Sequence, residues 1–256
     1  MIVNGVPPMS DVTAEYWRLL RLAEDYFDGQ TRSEREYAVP VLRSRTPAEE
    51  SAREPGGDTA PADAPRTQPG STVEALAAIG DEVSGCRRCR LSEGRTTTVP
   101  GEGVPNPEVM VIGEGPGAAE DRSGRPFVGP AGQYLDRWLA AIELDRRRNC
   151  FIANVVKCRP PGNRDPNPDE VAACIPYLAR QIDVLRPRAL LAVGRVAANH
   201  LLGVTRTLAE HRSGRYEHRG RPLFVTYHPS AVLRDSSLRA PVWEDLKKLR
   251  AFLDQT

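Results

Sequence analysis

Four short apolar runs punctuate this chain: Glu108 to Gly113, Cys150 to Val156, Ala189 to Gly194 and Leu223 to Tyr227. Runs of that length with little polar alternation suit strands buried on both faces of a parallel sheet. Around them, apolar residues return every three or four positions, which predicts helices over Val73 to Val83, Pro130 to Ile142, Pro168 to Leu185, Val196 to Leu202 and Pro241 to Leu253. Asn167 followed by Pro168 is a good helix start, because proline suits the first helical position. Pro176 falls inside that helix and is expected to kink it. The alternation predicts an α/β fold: a three-layer α/β/α domain around a central, mostly parallel four-stranded sheet.

The N-terminal region has a different texture. Val12, Tyr16, Leu19, Leu20, Ala23 and Phe27 recur at helical spacing, with Ser10 or Asp11 as N-cap and Gly29 just past the end. Residues 46–72 are dominated by Pro, Ala, Gly, Asp, Glu and Arg, with too little apolar surface to offset the entropy of ordering. The expected organisation is an extension with one amphipathic helix over 1–45, a disordered linker over 46–72, and a main domain over 73–256. The helix is read as a tethered element for a protein partner, or more blandly as an appendage packed on the body.

Composition narrows the function classes. The 256 residues are 40% hydrophobic, enough for a real core, and 35 Lys+Arg against 34 Asp+Glu leave a formal charge of +1. No net field draws the whole molecule to nucleic acid or acidic lipid, so any such attraction is local. No apolar run approaches the roughly 20 residues of a membrane span, and the first residues lack the pattern of a secretory signal. A soluble cytoplasmic protein is expected, with no membrane partner. In a reducing compartment five cysteines are poor disulfide material and better metal ligands. Cys86 and Cys89 form a C-x-x-C pair, and Cys158 and Cys174 follow far downstream, one after a strand and one in the next helix. Four thiolates suit a structural zinc or an iron-sulfur cluster, and spacing alone does not choose. Cys150 opens an apolar strand and reads as core.

Ligands of open parallel sheets bind beyond the carboxyl ends of the strands. Three segments meet that condition: Gly113 to Asp121 (GEGPGAAED), Asn154, and His228 to Arg234 (HPSAVLR). The first superficially matches a dinucleotide fingerprint. However, Pro116 removes a backbone donor, and Glu114, Glu120 and Asp121 repel a pyrophosphate. Its glycines better suit close approach to a flat ligand or a sugar. Asn154 interrupts an apolar run and, if buried, needs hydrogen-bond partners that a ligand can supply. Phe127 lies in a loop, where its ring is either a lid on the core or a stacking platform.

Taken in order, these pieces resemble the family 4 uracil-DNA glycosylases, the iron-sulfur branch of the uracil-DNA glycosylase superfamily. The resemblance runs from about residue 71 to the C-terminus and rests on Cys86 and Cys89, GEGPGAAED, GRPFVGPAG over 124–132, ANVVKCRPPGNRDP over 153–166, Cys174 and HPSAVLR. It implies a 4Fe-4S cluster on Cys86, Cys89, Cys158 and Cys174. It also implies that an extruded uracil stacks on Phe127, is read by Asn154 at O4 and N3–H, and leaves as an anion stabilised by His228. Glu114 and Glu120 match acidic positions that orient water or favour the sugar cation. Ser230 and Arg234 are candidates for flanking phosphates or the vacated space. Gly115 stands where the family more often has Ala, and its missing methyl is expected to widen the pocket beside the sugar.

The expected activity is monofunctional uracil-DNA hydrolysis in base-excision repair. No lysine is placed for a Schiff base, and the CRPPGNRDP segment lacks a histidine for covalent trapping. The expected partner is uracil-containing DNA, single- or double-stranded, bound by a nucleoid-associated monomer. The alternative is a non-catalytic binder of single-stranded or damaged DNA, stabilised by an iron-sulfur cluster or by zinc.

Overall fold

Parallel pairing of four largely apolar strands organises the computed structural model, which describes residues 69–255. The helix expected near Asp11 to Phe27 and the linker before residue 69 lie outside the described residues. The central strands are β2 (Val109–Gly113), β3 (Cys150–Asn154), β4 (Ala189–Val193) and β6 (Arg221–Thr226). Every residue of the first three is buried. Two short strands, β1 (Glu102–Gly103) and β5 (Tyr216–His218), add antiparallel edges, giving the order β1-β3-β2-β4-β6-β5. The sheet therefore has six strands; the expected four are its parallel centre.

Helices cover both faces. On one, Met110, Ile112, Ala153, Leu190, Ala192 and Val225 share a core with Ile79 of α1 (Pro69–Ser84) and Leu178 of α5 (Pro168–Leu185). The same core takes in Ala197 and Leu201 of α6 (Arg195–Leu202). The alternate residues Val109, Val111 and Leu191 are equally buried and by strand alternation face the other way. There α4 (Pro130–Ala141) supplies Leu135 and Leu139, and α9 (Arg239–Leu253) supplies Leu246 and Leu249. Phe224 of β6 meets Phe252 of α9 with ring centroids 5.6 Å apart, which fixes that helix on the second face. Short helices α2 (Leu91–Gly94), α3 (Ala118–Ser123), α7 (Leu208–Ser213) and α8 (Pro229–Arg234) complete the set.

Local signals explain several boundaries. Helix α5 starts in a reciprocal capping box between Asn167 and Glu170 with Pro168 at N1, and it continues through Pro176 to Leu185. Glu170 is fully buried yet paired with both Nη atoms of Arg164 at 2.7 and 2.8 Å. Helix α1 begins at Pro69, so residues 69–72 form its first turn although composition groups them with the linker. Among the described residues no helix is long and apolar enough to cross a membrane.

The register matters for function. Gly113 pairs with Asn154, Ile112 with Ala192, and Val193 with Thr226, so the carboxyl ends of the central strands finish together. Strand order turns back between β2 and β4, which is where a crevice opens in sheets of this type.

Candidate active site

At that edge the backbone is bare. A Cβ on Gly113 would lie 2.5 Å from Asn154 Oδ1 and 2.5 Å from Cζ of Phe127, so only glycine lets both side chains close over the end of β2. Gly194, with φ +100°, directly follows β4, and a Cβ there would come within 3.2 Å of the Cβ of His228. Phe127 and His228 have ring centroids 5.7 Å apart with planes tilted by 33°. The benzyl ring, the carboxamide and the imidazole, distant in sequence, converge on one point.

Asn154 is 1% exposed, and its Oδ1 is buried with no hydrogen-bond partner. An orphaned acceptor of that kind costs free energy unless something donates to it, which marks a place shaped for a ligand N–H. His228 caps α8: its Nδ1 accepts from the Ser230 backbone N–H at 3.2 Å, with the Ser230 hydroxyl 2.8 Å away. An accepting Nδ1 assigns the ring proton to Nε2, leaving a donor there. Burial, reinforced by Arg234 and opposed by Glu120, pushes the imidazole down to about 4, so the ring is neutral at pH 7. Ser230, a candidate for a flanking phosphate or the vacated space, thus also orients the imidazole. Arg234 is exposed and makes no hydrogen bond or ion pair among the described residues. Beside it Leu233 is 53% exposed, a large apolar side chain on the rim that its place in the motif did not single out.

The two acidic candidates separate clearly. Glu120 Oε1 accepts from the N–H groups of Val128 and Gly129, both at 2.9 Å, and so braces the loop that carries Phe127. Glu114 has no such tie. Burial, with Asp165 nearby and only Arg195 opposing, raises its carboxyl to about 7. Gly115 departs from expectation, because an added methyl would meet Val156 Cγ2 at 2.8 Å; the missing Cβ is taken up by that neighbour and opens no pocket.

Cys86, Cys89, Cys158 and Cys174 line a second cavity, together with Arg95 and Tyr177. Arg95 donates to Cys158 Sγ at 3.2 Å, and the Lys157 backbone N–H donates to Cys174 Sγ at 3.2 Å. Burial raises the thiols of Cys89 and Cys158 and pushes Cys174 up to about 11, so they stay protonated unless a cationic group compensates. Among the described residues no three His, Cys, Asp or Glu side chains converge tightly enough to hold a single metal ion. Cys150 sits in β3 and is fully buried, as a core residue should be. Between the two sites, the buried Lys157 donates its Nζ to the Asn154 carbonyl at 3.0 Å and to Gln181 Oε1 at 2.7 Å, a link the sequence pattern did not disclose.

Comparison with known proteins gives the family. The family model of the uracil DNA glycosylase superfamily matches residues 100–247. A type-4 uracil-DNA glycosylase of Sulfurisphaera tokodaii is 42% identical over 186 residues, 70% of this chain and 84% of the relative. One from Pyrobaculum aerophilum is 44% identical over 179 residues, covering 67% and 91%. A type-5 uracil-DNA glycosylase of the same organism is 33% identical over 179 residues, covering 57% and 79%. With its motifs spread over one sheet edge and its likeness extending along most of the type-4 relatives, the chain belongs to the uracil-DNA glycosylase superfamily and to its type-4 branch.

Proposed function

We propose that this protein hydrolyses the N-glycosidic bond of uracil in DNA and leaves an abasic strand unbroken. The observation that carries the reading is the orphaned Asn154 Oδ1, which meets the end of β2 beside the Phe127 ring, itself packed near His228. A base extruded from the stack lies against Phe127. Asn154 offers Nδ2–H to uracil O4 and Oδ1 to N3–H, while cytosine presents the opposite pattern at both atoms and leaves buried groups unpaired.

Cleavage breaks the C1′–N1 bond, and its electron pair goes to the departing uracil, whose charge is shared with O2. The neutral His228 donates Nε2–H to that oxygen, a hydrogen bond that strengthens as charge develops. Water adds to the cationic sugar carbon and gives up a proton; Glu114, poised near neutrality, takes it. Glu120 is a positioning residue here, since its Oε1 is committed to the Phe127 loop. Leu233 enters the gap that the flipped base leaves, as apolar side chains do between base steps. Arg234 and other local arginines meet phosphates, so binding falls with salt.

The cysteine cavity suits a 4Fe-4S cluster held by Cys86, Cys89, Cys158 and Cys174. Four thiols line one cavity, with N–H groups directed at two of the sulfurs, a donor set of the kind that holds such clusters. When bound, the cluster supplies a cross-link between the loop after α1, the end of β3 and helix α5. The protein acts as a monomer in the cytoplasm at the nucleoid, on single- or double-stranded DNA.

Incubating the protein with a uracil-bearing oligonucleotide and then with alkali tests the reading. A strand break at the uracil position only after alkali is expected. A strand that stays intact at stoichiometric protein overturns it and favours a non-catalytic binder.

A further inference from the structure

Phe127 occupies a backbone conformation that a side chain normally avoids: its φ is +52°. Such a residue persists only where its surroundings over-determine it. Part of the cause is close packing, because a Cβ on Gly132 would lie 2.0 Å from the Phe127 carbonyl carbon and oxygen. The larger part is polar. Arg146, 9% exposed, donates Nη1 to the Pro126 carbonyl at 2.8 Å and Nη2 to the Phe127 carbonyl at 2.9 Å. Its own orientation is fixed by Asp136 Oδ1, which accepts from Nε at 3.0 Å and from Nη2 at 2.7 Å, and by Glu102 Oε2 at 3.8 Å.

Glu102 in turn takes both Nε and Nη2 of Arg125, two residues before Phe127, at 2.9 and 2.8 Å. Hydrophobic packing does not do this work on that side: a polar cavity of about 350 Å³ lies behind the loop, lined by Phe127, Gln133, Asp136, Arg146 and Arg147 among others. The loop is gripped from the opposite direction by Glu120 on the next two N–H groups.

We infer that Arg146 is a positioning residue for uracil release: its guanidinium clamps the carbonyls of Pro126 and Phe127 and so holds the ring at the angle at which an extruded base stacks. The inference rests on the reading of Phe127 as the stacking platform. Arg146 touches neither substrate nor the reacting atoms. Its planar fork spans two carbonyls at once, which a lysine ammonium does not reproduce.

A double-mutant cycle on the full-length protein, read as uracil release from a uracil oligonucleotide, tests it. Arg146→Met is expected to lower kcat by about 10-fold or more with KM for DNA changed by less than about 3-fold, because groups that meet the strand are untouched. Arg146→Lys falls between. In a Phe127→Ala background Arg146→Met costs less than about 3-fold, since the group it acts through is gone. Asp136→Asn, at a half-exposed position, gives a smaller fall and carries the test if Arg146→Met fails to fold, as judged by circular dichroism. Equal fold-changes in both backgrounds, or wild-type kcat for Arg146→Met and Asp136→Asn, overturn the inference while leaving the stacking reading in place. Wild-type kcat for Phe127→Ala overturns the stacking reading and the inference with it.

Discussion

Ser230 donates its backbone N–H to Nδ1 of His228 at 3.2 Å and sets its hydroxyl 2.8 Å from the same nitrogen. The ring is thereby held in one tautomer, with its proton on the face turned away from α8. Removing the hydroxyl leaves the backbone donor, so Ser230→Ala should slow uracil release by only about 3- to 10-fold. The pH profile is the more telling reading. With the imidazole pushed down to about 4, the rate should show no limb near the ordinary imidazole value of about 6.5. Only as pH falls through about 4 does Nδ1 gain a proton and lose its Ser230 contact.

Glu114 predicts a limb of the opposite kind. Its raised carboxyl is protonated below about 7 and becomes the basic carboxylate above it, so kcat rises with pH through that region. Glu114→Gln should flatten the limb and lower the plateau by about 100-fold or more, the usual worth of a placed general base. A rising limb that survives in the variant removes Glu114 from the proton transfer.

Asn154 places function and stability in opposition. Its buried oxygen lacks a partner in the free protein, so Asn154→Ala discards an unsatisfied acceptor and should change unfolding free energy by no more than about 1 kcal/mol. Uracil release should nonetheless fall by about 100-fold or more, because both base contacts disappear. Thermal unfolding and single-turnover kinetics on the same preparation check the pair of outcomes.

The thiol cavity makes a prediction independent of catalysis. Purified protein should be brown, and metal analysis should find iron and not zinc. Cys174→Ser should lose that absorbance and unfold at lower temperature, since binding free energy of a structural group is folding free energy. A colourless protein that is fully folded contradicts the cluster assignment.

Much of the scaffold was legible from the chain because its signals are local. Three of the central strands are short, largely apolar runs buried at every residue, and α5 announces itself through Asn167, Pro168 and Glu170. The edge strands were not legible: Glu102–Gly103 and Tyr216–His218 are too short for any periodicity and exist through pairing alone. In the site, Asn154 and His228 stand out because strand ends are informative positions. Phe127 stood out as an aromatic in a loop. The division of labour between Glu114 and Glu120 depends on which carboxylate meets two distant N–H groups, and the Arg146 clamp acts on carbonyls 19 and 20 residues away. Neither leaves a trace in residue spacing. Gly115 misled for the same reason, because the space its methyl lacks is filled by Val156, 41 positions on.

The most direct test of the three-residue site is the effect of His228→Ala on uracil release, measured beside binding of uracil-containing DNA. Loss of the donor to O2 of the departing anion predicts a fall in single-turnover rate of about 100- to 1000-fold, with DNA affinity changed by less than about 3-fold. A variant that releases uracil at the wild-type rate, or one that loses rate and affinity in equal measure, contradicts the account.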